Sequence, residues 1–103
     1  MTININGKEI TLKYTFRAMM LYENITNKSF QPKGITEMII FFYATYMACD
    51  KESSISLDEF IEWLDEHPTM INEFSNWLAG IVKTNNELSA KVEDGEGENE
   101  KKN

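Results

Sequence analysis

The sequence predicts an α+β chain, mostly helical: an N-terminal β-hairpin packed on a small bundle of about four helices, with a disordered acidic C-terminal tail. Three observations lead there. Residues 2–14 alternate polar and apolar around Asn6-Gly7. Met38–Cys49 (MIIFFYATYMAC) is apolar at every position but Thr45. Residues 57–85 carry apolar side chains at the three- and four-residue spacing of helix faces.

The hairpin rests on Asn-Gly, the strongest short signal for a two-residue type I′ turn, because both central positions need positive φ. With that pair as the loop, Ile3 falls opposite Ile10 and Met1 opposite Leu12. A slip of one residue would turn Ile3 toward polar partners, so turn and pattern fix the same register. A hairpin alone is marginal in water, so its Ile3, Ile5, Ile10, Leu12 face must rest on helices.

Thr15 is an N-cap for a first helix over about 16–25, with Phe16, Met19, Met20, Leu21, Tyr22 and Ile25 as a wide apolar arc and Arg17, Glu23 and Asn24 toward solvent. Residues 26–34 form a loop punctuated by Pro32 and Gly34, with Phe30 as a plug at the core edge. The second helix, about 36–49, contains the apolar block. Spanning a bilayer takes ~20 apolar residues, and charged Asp50, Lys51 and Glu52 end this run too soon, so a central, enclosed helix is expected. Its apolar surface exceeds what a short chain readily covers, which leaves room for self-association through Phe41, Phe42, Tyr43 and Tyr46.

Ser56-Leu57-Asp58-Glu59 is a capping box opening a third helix over about 57–66. Leu57, Phe60, Ile61 and Leu64 form its buried stripe, Asp58, Glu59, Glu62, Asp65 and Glu66 its solvent face, and Trp63 the flank. Pro68 is placed to start a fourth helix over about 68–85 that buries Met70, Ile71, Phe74, Trp77, Leu78, Ile81 and Val82, with Asn72, Asn76 and Lys83 facing water. Residues 1–86 thus form one domain. Residues 87–103 hold six acids and three lysines with no aromatic, too little apolar surface to offset ordering entropy, and read as a disordered tail.

Composition narrows function by exclusion. A net charge of −7 disfavours nucleic acid and anionic membrane surfaces as partners. One cysteine, Cys49, rules out an internal disulfide and reads as a small buried hydrophobe in a reducing compartment. Thr2–Asn6 is polar where a signal peptide would need an apolar stretch, which makes cytoplasmic location the expectation. His67 is the single histidine, so a Cys-His pair or metal cluster has few parts, and no Gly-rich phosphate loop is present. An enzyme is not expected, nor a cofactor. Asp50–Phe60 imitates the end of an EF-hand loop, but its first ligand position falls on Ala48 and its turn glycine on Ser53. A helix–turn–helix junction accounts for that segment better than a degenerate calcium site. The six methionines are assigned to core filling.

The order ININGKEITLKYTF, then a helix to a short polar loop, an apolar helix and the amphipathic SLDEFIEWLDE, resembles the tail assembly chaperones of long-tailed bacteriophages and related prophages over roughly residues 2–85. That resemblance implies a non-enzymatic protein of the infected cell's cytoplasm, absent from the finished virion, that holds the tape measure protein and recruits tail tube protein around it. It also implies a longer product made by ribosomal frameshifting, for which Glu100-Lys101-Lys102-Asn103 is compatible with an A-rich slippery codon run. A small acidic binding or regulatory module, of phage or bacterial origin, is the alternative. The residues expected to contact a partner are Phe30, Trp63 and the acidic face of the third helix, with Asp58, Glu59, Glu62 and Glu66.

Overall fold

In the computed structural model the backbone of residues 1–96 and the side chains of residues 1–84 are described. Strands β1 (Thr2–Ile5) and β2 (Lys8–Thr11) are followed by helices α1 (Phe16–Thr26), α2 (Gly34–Cys49), α3 (Leu57–Glu66) and α4 (Met70–Glu96). The tail expected over 87–103 lies outside the residues described with their side chains, and 97–103 outside the described residues altogether.

The hairpin has the expected register, Ile3 opposite Ile10 and Thr2 opposite Thr11, and the Leu12 amide donates to the Met1 carbonyl at 2.7 Å. Asn6 and Gly7 take φ of 53° and 77°, the left-handed pair that a type I′ turn requires. Ile3, Ile5, Ile10 and Leu12 are all buried beneath it.

α2 is the centre of the core. Phe41, Phe42 and Ala44 are fully buried, and Thr45 spends its hydroxyl on the Phe41 carbonyl at 2.7 Å. Phe42 stacks on Phe74 of α4 at 4.3 Å and meets Phe60 of α3 edge-on at 5.1 Å. Phe41 meets Tyr22 of α1 at 6.1 Å. One residue pair therefore ties α2 to the three other helices. The helix is not enclosed all round, however: Met38, Ile39, Ile40, Tyr43, Met47, Ala48 and Cys49 remain partly open. Phe41, Phe42 and Tyr46 lie in the core and offer no surface to a second copy; of the four residues expected to do so, Tyr43 alone is partly open. Cys49 is also half-open, and its sulfur accepts the Lys13 amide at 3.3 Å.

α1 is capped as expected, Thr15 Oγ1 accepting the Ala18 amide at 3.1 Å. Its buried line is Ala18 and Tyr22 rather than the whole apolar arc, and Phe16, Met20 and Ile25 are exposed. The helical period explains this: Phe16 and Met20 fall between Glu23 and Asn24 on the wheel, opposite Ala18, whose small side chain lets α1 approach α2. α2 begins at Gly34, two residues before the expected start, with Glu37 reaching back to the Lys33 amide at 2.8 Å. α3 has the expected bounds and complete capping box. α4 opens at Met70, not Pro68: residues 67–69 form a turn in which the Met70 amide donates to the His67 carbonyl at 3.0 Å. Of its expected face, Phe74 and Leu78 are buried, Met70, Ile71, Trp77 and Ile81 are half-buried and Val82 is exposed. No helix among the described residues is long and apolar enough to cross a membrane.

Candidate partner-binding surfaces

Four of the six residues expected to contact a partner come together. Glu59, Glu62, Trp63 and Glu66 line a cleft of about 260 Å³ with Ile55 and with Asn6 of the β1–β2 turn. α3 divides its acidic residues in two. Glu59, Glu62 and Glu66, at i, i+3 and i+7, line the cleft, while Asp58 and Asp65, four residues before and three after Glu62, do not. Asp58 therefore does not join this group. Neither does Phe30, which packs against Tyr22 at 5.5 Å and Phe41 at 4.7 Å as the expected plug.

Trp63 is the correction at this surface. Expected on a flank, it is 8% exposed, with its ring against Phe60 at 5.4 Å, Phe42 at 6.1 Å and His67 at 5.1 Å. Its floor is held firmly. The Tyr43 hydroxyl donates to the Ile55 carbonyl at 2.8 Å, and burial raises that phenol's pKa above its ordinary value. Glu59 Oε1 accepts the Ser56 amide at 2.8 Å while Ser56 Oγ accepts the Glu59 amide at 3.1 Å. The three ion pairs among the described residues go to Asp50, Glu52 and Glu37, so Glu59, Glu62 and Glu66 have no cation there.

Two polar clusters brace the loops around this frame. Asp50, 6% exposed, accepts Lys8 Nζ at 3.0 Å and the Tyr46 hydroxyl at 3.4 Å, tying the hairpin to the end of α2; the Asp50 bond raises the lysine's pKa. Asp50, which would stand at position 3 of an EF-hand calcium loop, is thus engaged in a structural contact. At the other end of α2, Glu37 accepts the Lys33 amide at 2.8 Å, Lys28 Nζ at 3.1 Å and the Tyr22 hydroxyl at 3.1 Å. Those donors, the Lys33 amide foremost, hold the Glu37 pKa below its ordinary value against a smaller opposing effect of burial. Tyr22 is pushed up, first by burial and then by its bond to Glu37. Among the described residues no three or more His, Cys, Asp or Glu side chains converge where one metal ion could be held.

An exposed apolar pair on α1 was missed in the sequence: Phe16 is 80% exposed and Met20 64%, and at the start of α2 Ile35 is 61% exposed. Large apolar side chains this open stand out in a chain that buries its other phenylalanines wholly or in part. The signal was available in the wheel position of Phe16 and Met20 among the polar residues of α1. Asn6 and Ile55 carried no such signal, because they lie 49 positions apart and only the fold places the turn beside α3. Comparison with models of protein families, with curated proteins and with solved structures finds no match.

Proposed function

We propose that this protein is a tail assembly chaperone of a long-tailed phage or prophage, a non-enzymatic cytoplasmic protein that holds the tape measure protein and helps recruit tail tube subunits. It would act in the host cell and be absent from the mature virion. The observation that carries the reading is the exposed pair Phe16 and Met20 on α1, at successive turns of one helix face, on an otherwise acidic chain. A holding protein needs apolar grip for an aggregation-prone client together with like charge that keeps the complex dispersed. The hairpin-then-helices order supports the same reading, since that arrangement carries the resemblance.

The test is to read whether a tape measure gene lies beside the gene for this chain and to co-express the two proteins. The chain should keep that client in the soluble fraction and co-purify with it, and Phe16→Ser/Met20→Ser should lose both effects while keeping its helical circular dichroism. A tape measure protein that partitions identically with and without the chain would overturn the assignment.

A further inference from the structure

We propose that the β1–β2 turn is a self-modification site: in the folded protein the Gly7 backbone nitrogen attacks the Asn6 side-chain amide, and the resulting succinimide opens to aspartate or isoaspartate at position 6. The bond from Gly7 N to Asn6 Cγ forms, the Cγ–Nδ2 bond breaks, and the Gly7 amide proton leaves with that nitrogen as ammonia. Water then opens the ring. Attack at Cγ gives aspartate; attack at the backbone carbonyl gives an isoaspartyl residue whose chain runs on through Cγ. Nothing is oxidised or reduced. The site is independent of the chaperone assignment, since it involves neither Phe16 nor Met20 and needs no partner.

The chain holds one Asn-Gly pair, and the fold places it at a turn with both residues exposed. Closing the five-membered ring requires the Gly7 nitrogen nearly eclipsed with Asn6 Cβ about the Cα–C bond. For an L residue that is close to the first central position of a type II′ turn, with φ of about 60° and ψ of about −120°. Asn6 already has φ of 53°. Rotating the one peptide plane between Asn6 and Gly7 converts type I′ to type II′, taking ψ at Asn6 from about 30° to about −120° and φ at Gly7 from 77° to about −80°. Glycine adopts either sign of φ without penalty. Beyond its chain neighbours, no atom lies within 4 Å of where a Gly7 side chain would begin, so the plane has room to turn. Both turn types close the same two-residue hairpin, so the strands stay paired while the reactive geometry forms. The other left-handed asparagine, Asn27 at φ 57°, is exposed too, but the Lys28 amide that would attack it is held by Thr26 Oγ1 at 3.2 Å. After Asn72, the Glu73 amide is likewise held, by the Thr69 carbonyl at 3.1 Å. The two products differ in consequence. Asp-Gly also suits a type I′ turn, so the aspartyl form keeps the hairpin. The isoaspartyl form adds a methylene to the backbone of the loop, and the Ile5–Lys8 pair that flanks it no longer closes in register. Either product brings a new carboxylate to the cleft that Asn6 lines with Glu59, Glu62 and Glu66.

The experiment incubates the full-length protein at physiological temperature and mildly alkaline pH, and follows each asparagine over time by peptide mapping and isoaspartyl methylation. Asn6 should convert to aspartate and isoaspartate while Asn27 and Asn72 stay intact. Phe42→Leu, which raises the unfolded fraction roughly thirtyfold, should leave the rate at Asn6 unchanged, because the peptide flip needs no unfolding. Asn6→Asp should melt close to the unmodified protein, whereas the purified isoaspartyl form should melt several degrees lower. Loss of Asn6 confined to urea-unfolded protein, a rate that rises with the unfolded fraction in Phe42→Leu, conversion of Asn27 as fast as Asn6, or an isoaspartyl form as stable as the unmodified protein would each overturn the proposal.

Discussion

Replacing Phe42 tests whether this core is held by its aromatic contacts or by apolar volume alone. The ring lies face to face with Phe74 at 4.3 Å and 6° and edge-on to Phe60 at 5.1 Å and to Trp63 at 6.1 Å, with no surface open to solvent. Leucine keeps most of the buried apolar area, so Phe42→Leu isolates what the ring geometry adds. Each favourable aromatic pair contributes ~0.5–1.5 kcal/mol beyond area, and since three pairs sharing one ring do not add fully, about 2 kcal/mol is expected. In a domain this size that lowers the melting temperature by roughly 10 °C. Phe42→Ala opens a cavity as well and should cost ~3–5 kcal/mol, a large part of the total stability of a small domain. The assay is urea unfolding followed by far-ultraviolet circular dichroism. A double-mutant cycle of Phe42→Leu with Phe74→Leu should return a coupling of about 1 kcal/mol for the stacked pair. A Phe42→Leu cost under about 0.5 kcal/mol, or a coupling indistinguishable from zero, would refute the argument and leave volume as the sole determinant.

Two further outcomes follow from the polar contacts. Ser56→Ala removes one half of the capping box at α3 and should destabilise by about 1 kcal/mol in the same urea assay, while Ser56→Asp should retain most of the stability. For Glu37 the folded pKa lies below the ordinary value of 4.5, so its contribution is present above that value and is lost as pH falls toward the lower folded one. Melting temperature measured across acid pH should therefore fall less steeply for Glu37→Gln than for the unmodified protein, and parallel curves would contradict the role given to this carboxylate.

Local interactions made much of this chain readable in one dimension. The Asn6-Gly7 turn demands positive φ at both positions, and the alternating isoleucines around it admit one register, so the hairpin followed from about ten residues. The α3 bounds followed in the same way from Ser56 and Glu59, whose reciprocal bonds span three residues. The Met38–Cys49 block marked the core but could not say which of its faces would be covered, because a helix apolar all round has no moment to orient it. That was decided by its neighbours: Phe60, Phe74 and Tyr22 close over Phe41 and Phe42 and leave Tyr43 and Met47 nearer the surface. The same holds for the candidate sites. The acidity of α3 stood in the sequence, whereas the burial of Trp63, the choice of Glu59, Glu62 and Glu66 rather than Asp58 to line the cleft, and the wall formed by Asn6 did not. Likewise Asp50, read as part of a polar turn, became a buried partner of Lys8. Short-range hydrogen bonds and periodicity determine elements, and they act within a few residues. Which faces meet, and which side chains are left facing a cleft, depends on contacts between residues far apart in the chain, and only the packed structure decides those.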